Sequence, residues 1–150
     1  MNEDPMLKKI ITWAENAENI RGLVMEGSRG ATNPVDDLAD YDINVFCTNY
    51  EEFRDQDEWL SDIAKVWVYE PNEGQFEDAK SVNRLVIFEG GKKVDFVFWT
   101  IDLVDRMVSA NKYDKGCKVL LDKDGILEPL NNSVIKPSTP QNLLKKNLSS

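Results

Sequence analysis

Residues 25–46 read MEGSRGATNPVDDLADYDINVF, and the reading of this stretch decides the rest. RGLVMEGS is a short apolar strand ending at Gly27, and TNPVDDLAD, with Asn33-Pro34, has the composition of a loop. YDINVFCT then resumes as a strand. Side chains alternate along a strand, so Asp40, Asp42, Asn44 and Phe46 point one way, and Ile43, Val45 and Cys47 point the other, toward a core. Two carboxylates roughly 7 Å apart on one face repel unless something pairs with them, and a divalent cation removes that repulsion. Mg²⁺ suits such a place because it takes oxygen ligands and keeps waters or substrate phosphates in its shell.

The other half of the stretch complements the acids. Glycine after a strand lets the chain bend and lets a ligand approach the backbone amides. If a helix opens near Ser28, its free N–H groups and the Ser28 hydroxyl make an anion site, with Arg29 placed to add charge. Downstream, SVNRLVIFEGGKKVDFVFWT reads as a β-hairpin turning at Glu89-Gly90-Gly91-Lys92. In its second strand Val94, Phe96 and Phe98 form an apolar face and Asp95 projects opposite. A carboxylate inside an apolar strand is costly unless it is paired, metal-bound or at an open surface.

Further elements follow from local pattern. Pro5 and MLKKIITWAENAENI give an opening helix with Met6, Ile10, Trp13 and Ala17 on one side. EEFRDQDEWLSDIA reads as one polar-faced helix, KVWVYEP as a strand stopped by Pro71, and NEGQFEDAKS as a loop. IDLVDRMVSA is a short amphipathic helix, CKVLLD a strand, and Asp122-Lys123-Asp124-Gly125 a turn. EPLNNSVIKPSTPQNLLKKNLSS shows no sustained period and reads as a linker. Helices and strands intermix and one pair is antiparallel. The expected class is therefore α/β in the α+β sense: a mixed β-sheet with helices packed mainly on one face.

Composition narrows the chemistry. The chain has 150 residues, a net charge of −9 and 41% hydrophobic residues, which suits one domain with a sizeable core. The acidic balance argues against nucleic acid as a partner, since phosphate affinity needs clustered Lys and Arg. No signal peptide and no membrane-spanning run is legible, and the two cysteines form no disulfide framework, so a cytoplasmic location is expected. There is no histidine, which removes the commonest general base and every Ser-His-Asp mechanism. Carboxylates and a metal remain. Taken singly, each fragment has an ordinary explanation: Gly-Ser is usually a turn, and Asp-x-Asp is often solvated surface. Asp36 and Asp37 read as loop acids, and Trp67 and Tyr69 as packing residues. Arg84, Lys92 and Lys93 are within possible reach of a phosphate.

The combination of Gly27-Ser28, Asp40-Tyr41-Asp42 and a distant strand acid resembles the DNA polymerase β-like nucleotidyltransferase superfamily. The longer wording VMEGSRGATNP…DYDINVF and LVIFEGGKKVDF resembles the aminoglycoside 6-adenylyltransferases, also called streptomycin adenylyltransferases. The resemblance implies a nucleotidyltransferase fold over residues 1–130. Residues 131–150 are then a linker or the truncated start of a C-terminal helical domain. It implies Mg²⁺-dependent transfer of AMP from ATP to a hydroxyl of a cationic aminoglycoside such as streptomycin, with pyrophosphate leaving. Carried over position by position, Gly27, Ser28 and Arg29 hold the triphosphate, while Asp40, Asp42 and Asp95 bind Mg²⁺ and carry catalysis. Family members have a second, helical domain, so a helical domain or partner outside this chain is expected to help form the acceptor pocket. Two other outcomes share the fold: a minimal enzyme modifying a protein hydroxyl, and a non-catalytic nucleotide-binding module.

Overall fold

The computed structural model describes residues 4–26 and 41–135. Its centre is a six-stranded mixed sheet in the order β3-β4-β5-β2-β1-β6. The strands are β1 (Ile20–Glu26), β2 (Tyr41–Cys47), β3 (Val66–Phe76), β4 (Ala79–Phe88), β5 (Lys92–Thr100) and β6 (Cys117–Asp122). Among the described residues only β2 and β5 pair in parallel; the other neighbours run antiparallel. The expected mixed α+β sheet is what forms.

The larger core lies on one face, under α1 (Pro5–Glu15), α2 (Glu51–Asp55) and α3 (Glu58–Ile63). Asp4 starts α1 by accepting the amides of Met6 (2.9 Å) and Leu7 (3.3 Å), with Pro5 in the first turn, where its missing N–H costs nothing. Met6, Ile10, Trp13 and Ala14 then recur on the side facing the sheet, and all four are buried. Trp13 stacks on Trp59 of α3 (centroids 5.1 Å apart), and Phe53 of α2 stacks on Phe98 of β5 (4.7 Å). At the far end of α1, Lys123 Nζ donates to the carbonyls of Ala14 (2.9 Å) and Ala17 (3.0 Å), placing a cation on the negative end of the helix.

A second core covers the opposite face at one end of the sheet. There Val24, Phe46 and Trp99 meet Leu103, α4 (Val104–Ser109), Tyr113 and the start of α5 (Glu128–Ile135). Gly22 of β1 is required here. A Cβ at this position would overlap Leu127 and come within 2.9 Å of the Leu121 carbonyl oxygen.

Several local expectations are corrected. Pro71 does not stop β3: the strand runs on to Phe76 and turns tightly at Glu77-Asp78 into β4, so NEGQFEDAKS is hairpin, not loop. The reason is position. As the outer strand, β3 has a free side on which a missing N–H breaks no ladder bond. Trp67 and Tyr69 on this edge strand are 58% and 40% exposed, so they are not packing residues. EEFRDQDEWLSDIA forms two short helices, broken where Gln56 adopts an extended conformation. Residues 128–135, within the stretch read as linker, form α5. Both Asp122 carboxylate oxygens support its approach by accepting the amides of Ile126 (2.9 Å) and Leu127 (3.1 Å).

Candidate active site

Asp42 is the second residue of β2, and Asp95 lies in the middle of β5. The parallel register pairs Tyr41 with Val94, Asp42 with Asp95 and Ile43 with Phe96. Ile43, Val45, Phe96 and Phe98 all enter the larger core, so alternation turns Asp42 and Asp95 together to the other face. Neighbouring strands run about 4.8 Å apart, which sets the two acids side by side. Asp42 is exposed and Asp95 half-buried, an arrangement open to a ligand on one side. Both are engaged by other groups of the protein. A pair of carboxylates in adjacent register suits a hard cation with oxygen ligands, and the donor set fits Mg²⁺.

The remaining expected site residues, Gly27, Ser28, Arg29 and Asp40, lie outside the described residues, as do Asp36 and Asp37. Among the described residues no three acids, cysteines or histidines gather closely enough to hold one metal ion. Asp42 and Asp95 are therefore brought together, and Asp40 is the third member that the sequence expects.

Arg84 is not available for a phosphate. It is 5% exposed, and its guanidinium donates to Asp57 Oδ1 (3.1 Å) and to the carbonyls of Asn83 (2.8 Å) and Arg54 (2.7 Å). It fastens the α2–α3 segment to β4, a structural role. Nor do the cysteines offer a nucleophile. Burial pushes the Cys47 thiol up to about 12, and burial with the nearby Glu26 charge pushes Cys117 to about 11.

Sequence reasoning missed a polar group that borders the acid pair. Asn44, one alternation beyond Asp42, is 1% exposed. Its Oδ1 accepts from Trp99 Nε1 (2.7 Å) and Tyr113 OH (3.0 Å), and its Nδ2 donates to Glu26 Oε1 (2.9 Å). Burial, reinforced by the Glu26 and Cys117 charges, holds the Tyr113 phenol well above its usual range. Lys112 stands over the rings of Tyr113 (4.5 Å) and Trp99 (5.3 Å). Burial lowers its pKa and Glu26 partly offsets that. The available signal was an asparagine amid Ile, Val and Phe, a buried polar side chain that must find partners. A cavity of about 700 Å³ between α1 and the α2–α3 pair, floored by Trp13, Phe53 and Trp59, lies on the opposite face of the sheet from the acids.

The sequence profile described as Streptomycin adenylyltransferase matches residues 1–145. The chain belongs to the streptomycin adenylyltransferase family. Among its relatives, an aminoglycoside 6-adenylyltransferase of Bacillus subtilis (strain 168) is 31% identical over 150 residues, covering 97% of this chain and 51% of that protein. One from Campylobacter jejuni is 30% identical over 138 residues, covering 89% and 44%. The crystal structure of an aminoglycoside 6-adenyltransferase from Bacillus subtilis superposes with a TM-score of 0.60 at 25% identity, over 83% of this chain and 43% of that one. The chain thus spans about half the length of the curated family members it matches.

Proposed function

We propose that this protein transfers AMP from ATP to a hydroxyl of an aminoglycoside, with streptomycin the first acceptor to test, in a Mg²⁺-dependent reaction that releases pyrophosphate. Family membership supports the reaction class, and the Asp42–Asp95 pairing is the observation that carries the mechanism. In this reading residues 1–130 are the nucleotidyltransferase unit, and a helical domain or partner completes the acceptor pocket. On the same reading the protein works in the cytoplasm.

The reaction joins the acceptor oxygen to the α-phosphorus and breaks the bond from that phosphorus to the bridging oxygen of pyrophosphate. Negative charge grows on the phosphoryl oxygens and the leaving group, so catalysis consists of positioning and charge neutralisation. When bound, Mg²⁺ supplies that neutralisation and acidifies the attacking hydroxyl. Gly27 and Ser28 receive triphosphate oxygens on backbone amides and hydroxyl, and Arg29 adds a positive charge. Asp40, Asp42 and Asp95 hold the cation. Asp95, half-buried beside Asp42, also helps take the proton of the acceptor hydroxyl. The net charge of −9 favours approach of a polycationic acceptor.

The test is incubation of the chain with ATP labelled at the α-phosphate, Mg²⁺ and streptomycin. Label should pass to the antibiotic, and Asp95→Asn should stop it. Label appearing on added protein but not on the aminoglycoside would favour modification of a protein hydroxyl. ATP binding without Mg²⁺ dependence, and no transfer at all, would mark a non-catalytic module.

A further inference from the structure

The orientation of the Asn44 amide is forced. An indole N–H can only donate, so Oδ1 must face Trp99, 2.7 Å away, and Nδ2 must point to the other side. There it meets Glu26, whose Oε1 accepts at 2.9 Å. Reversing the amide would set donor against donor in a site that is 1% exposed. Trp99 and Tyr113 therefore aim the one donor that holds the Glu26 carboxylate.

Glu26 closes β1 on the same face as Asn44. The β1–β2 register pairs Val24 with Asn44 and Met25 with Ile43; continued by one residue, it sets Glu26 beside Asp42. Asp42 is in turn paired with Asp95. Three neighbouring strands thus carry a row of carboxylates on one face. Since no three of the described acids are close enough to ligate one ion, Glu26 stands next to the pair rather than inside it. One Glu26 oxygen is occupied by Asn44, and the Glu26 carboxylate accepts no other side-chain hydrogen bond among the described residues.

We propose that Glu26 is an outer carboxylate of the cation site, accepting hydrogen bonds from water bound to the cation held at Asp42 and Asp95, and that Asn44 is the positioning residue that holds it there. This rests on the assignment of the cation site made under the proposed function. Mg²⁺ surrenders its waters reluctantly, so a carboxylate one strand away contributes through the hydration shell. Partners at that distance orient the inner ligands and tune affinity. The competing role is neutralisation of Lys112, whose ammonium feels the Glu26 charge. In that case Glu26 is structural and indifferent to metal.

Mn²⁺ titrated into the chain and followed by electron paramagnetic resonance separates these roles without requiring turnover. Glu26→Gln and Asn44→Ser should each weaken Mn²⁺ binding on the order of 10-fold. Asp42→Asn should weaken it further still. Asn44→Ser should add nothing in a Glu26→Gln background, because Asn44 acts through Glu26. Unchanged affinity in Glu26→Gln, with Asp42→Asn impaired, overturns this proposal alone. Unchanged affinity in Asp42→Asn overturns the cation site itself. An additional loss from Asn44→Ser in the Glu26→Gln background overturns the positioning role. If circular dichroism shows Asn44→Ser unfolded, Trp99→Phe takes its place, since it removes the donor that fixes the amide. Its smaller loss should likewise vanish in Glu26→Gln.

Discussion

Asp42 and Asp95 lie side by side on adjacent strands, and removing one charge should affect chemistry far more than stability. Asp42→Asn keeps the side-chain shape at an exposed position, and the melting temperature without metal should change little. Nucleotidyl transfer should fall at least ~100-fold, as with loss of other groups that stabilise transition-state charge. A calorimetric scan beside a transfer assay checks both; a large drop in melting temperature would recast Asp42 as structural. Asn44 behaves the other way. Asn44→Leu fills similar space but leaves Trp99 Nε1 and Tyr113 OH buried without their shared acceptor. Each orphaned donor costs about 1–3 kcal/mol, so the urea midpoint should fall sharply. The sequence shows Asp42 and Asn44 on one face by alternation alone. It does not show that one stays near solvent while the other is sealed, because Tyr113, which covers Asn44, lies 69 residues further along the chain.

At the scale of elements, short contacts tie the helices and their connections to the sheet. Asp4 caps α1 and also accepts the Tyr41 hydroxyl (2.8 Å), tying the first turn of the helix to the first residue of β2, next to Asp42. Asp4→Ala should cost about 1 kcal/mol for the cap alone, and Asp4→Asn should recover most of it. Chemical denaturation of both variants checks this. Gly22→Ala places a methyl against Leu127 and the Leu121 carbonyl, and should destabilise by about 1–3 kcal/mol. Leu127→Ala in the same chain should relieve part of that clash. The cap and the amphipathic stripe of α1 were legible because both are local. α5 was not, since its formation depends on Leu127 and Leu130 being buried in the second core and on the Asp122 carboxylate, none of which gives a period in eight residues. The Pro71 strand failed for a related reason: proline interrupts a strand only where both edges are paired.

For the whole molecule, the absence of histidine has a measurable effect. No side chain ordinarily titrates between about pH 6 and 8, so stability should be flat there. Above that window, Cys47, Cys117 and Tyr113 all have folded pKa values raised by burial. The unfolded chain releases these protons first, so their contribution is complete below about pH 8.5 and declines as pH rises through the folded values. Lys112 and Lys123, both lowered chiefly by burial, act in the opposite sense and offset part of this decline. Melting temperature followed from pH 6 to 11 should show a plateau and then a fall, and Cys47→Ala should shift the onset of that fall upward. On the acid side, Asp55, Asp78 and Asp124 have pKa values lowered by hydrogen bonds to Arg54, Arg106 and Arg21. Their contribution is present above the usual carboxylate pKa and is lost as pH falls below it, weakly because they are exposed and screened.

The sequence by itself determined what alternation and local chemistry can carry: the α+β class, the β4–β5 hairpin, the helix at Pro5, and the faces that present Asp42 and Asp95. These depend on backbone geometry a few residues long. Only the tertiary structure decided that β2 and β5 are neighbours in parallel register, with a 44-residue excursion through α2, α3, β3 and β4 between them. It likewise decided that Asn44 is enclosed and aimed at Glu26. Strand order and enclosure depend on which distant apolar faces bury one another, and no local window contains that information.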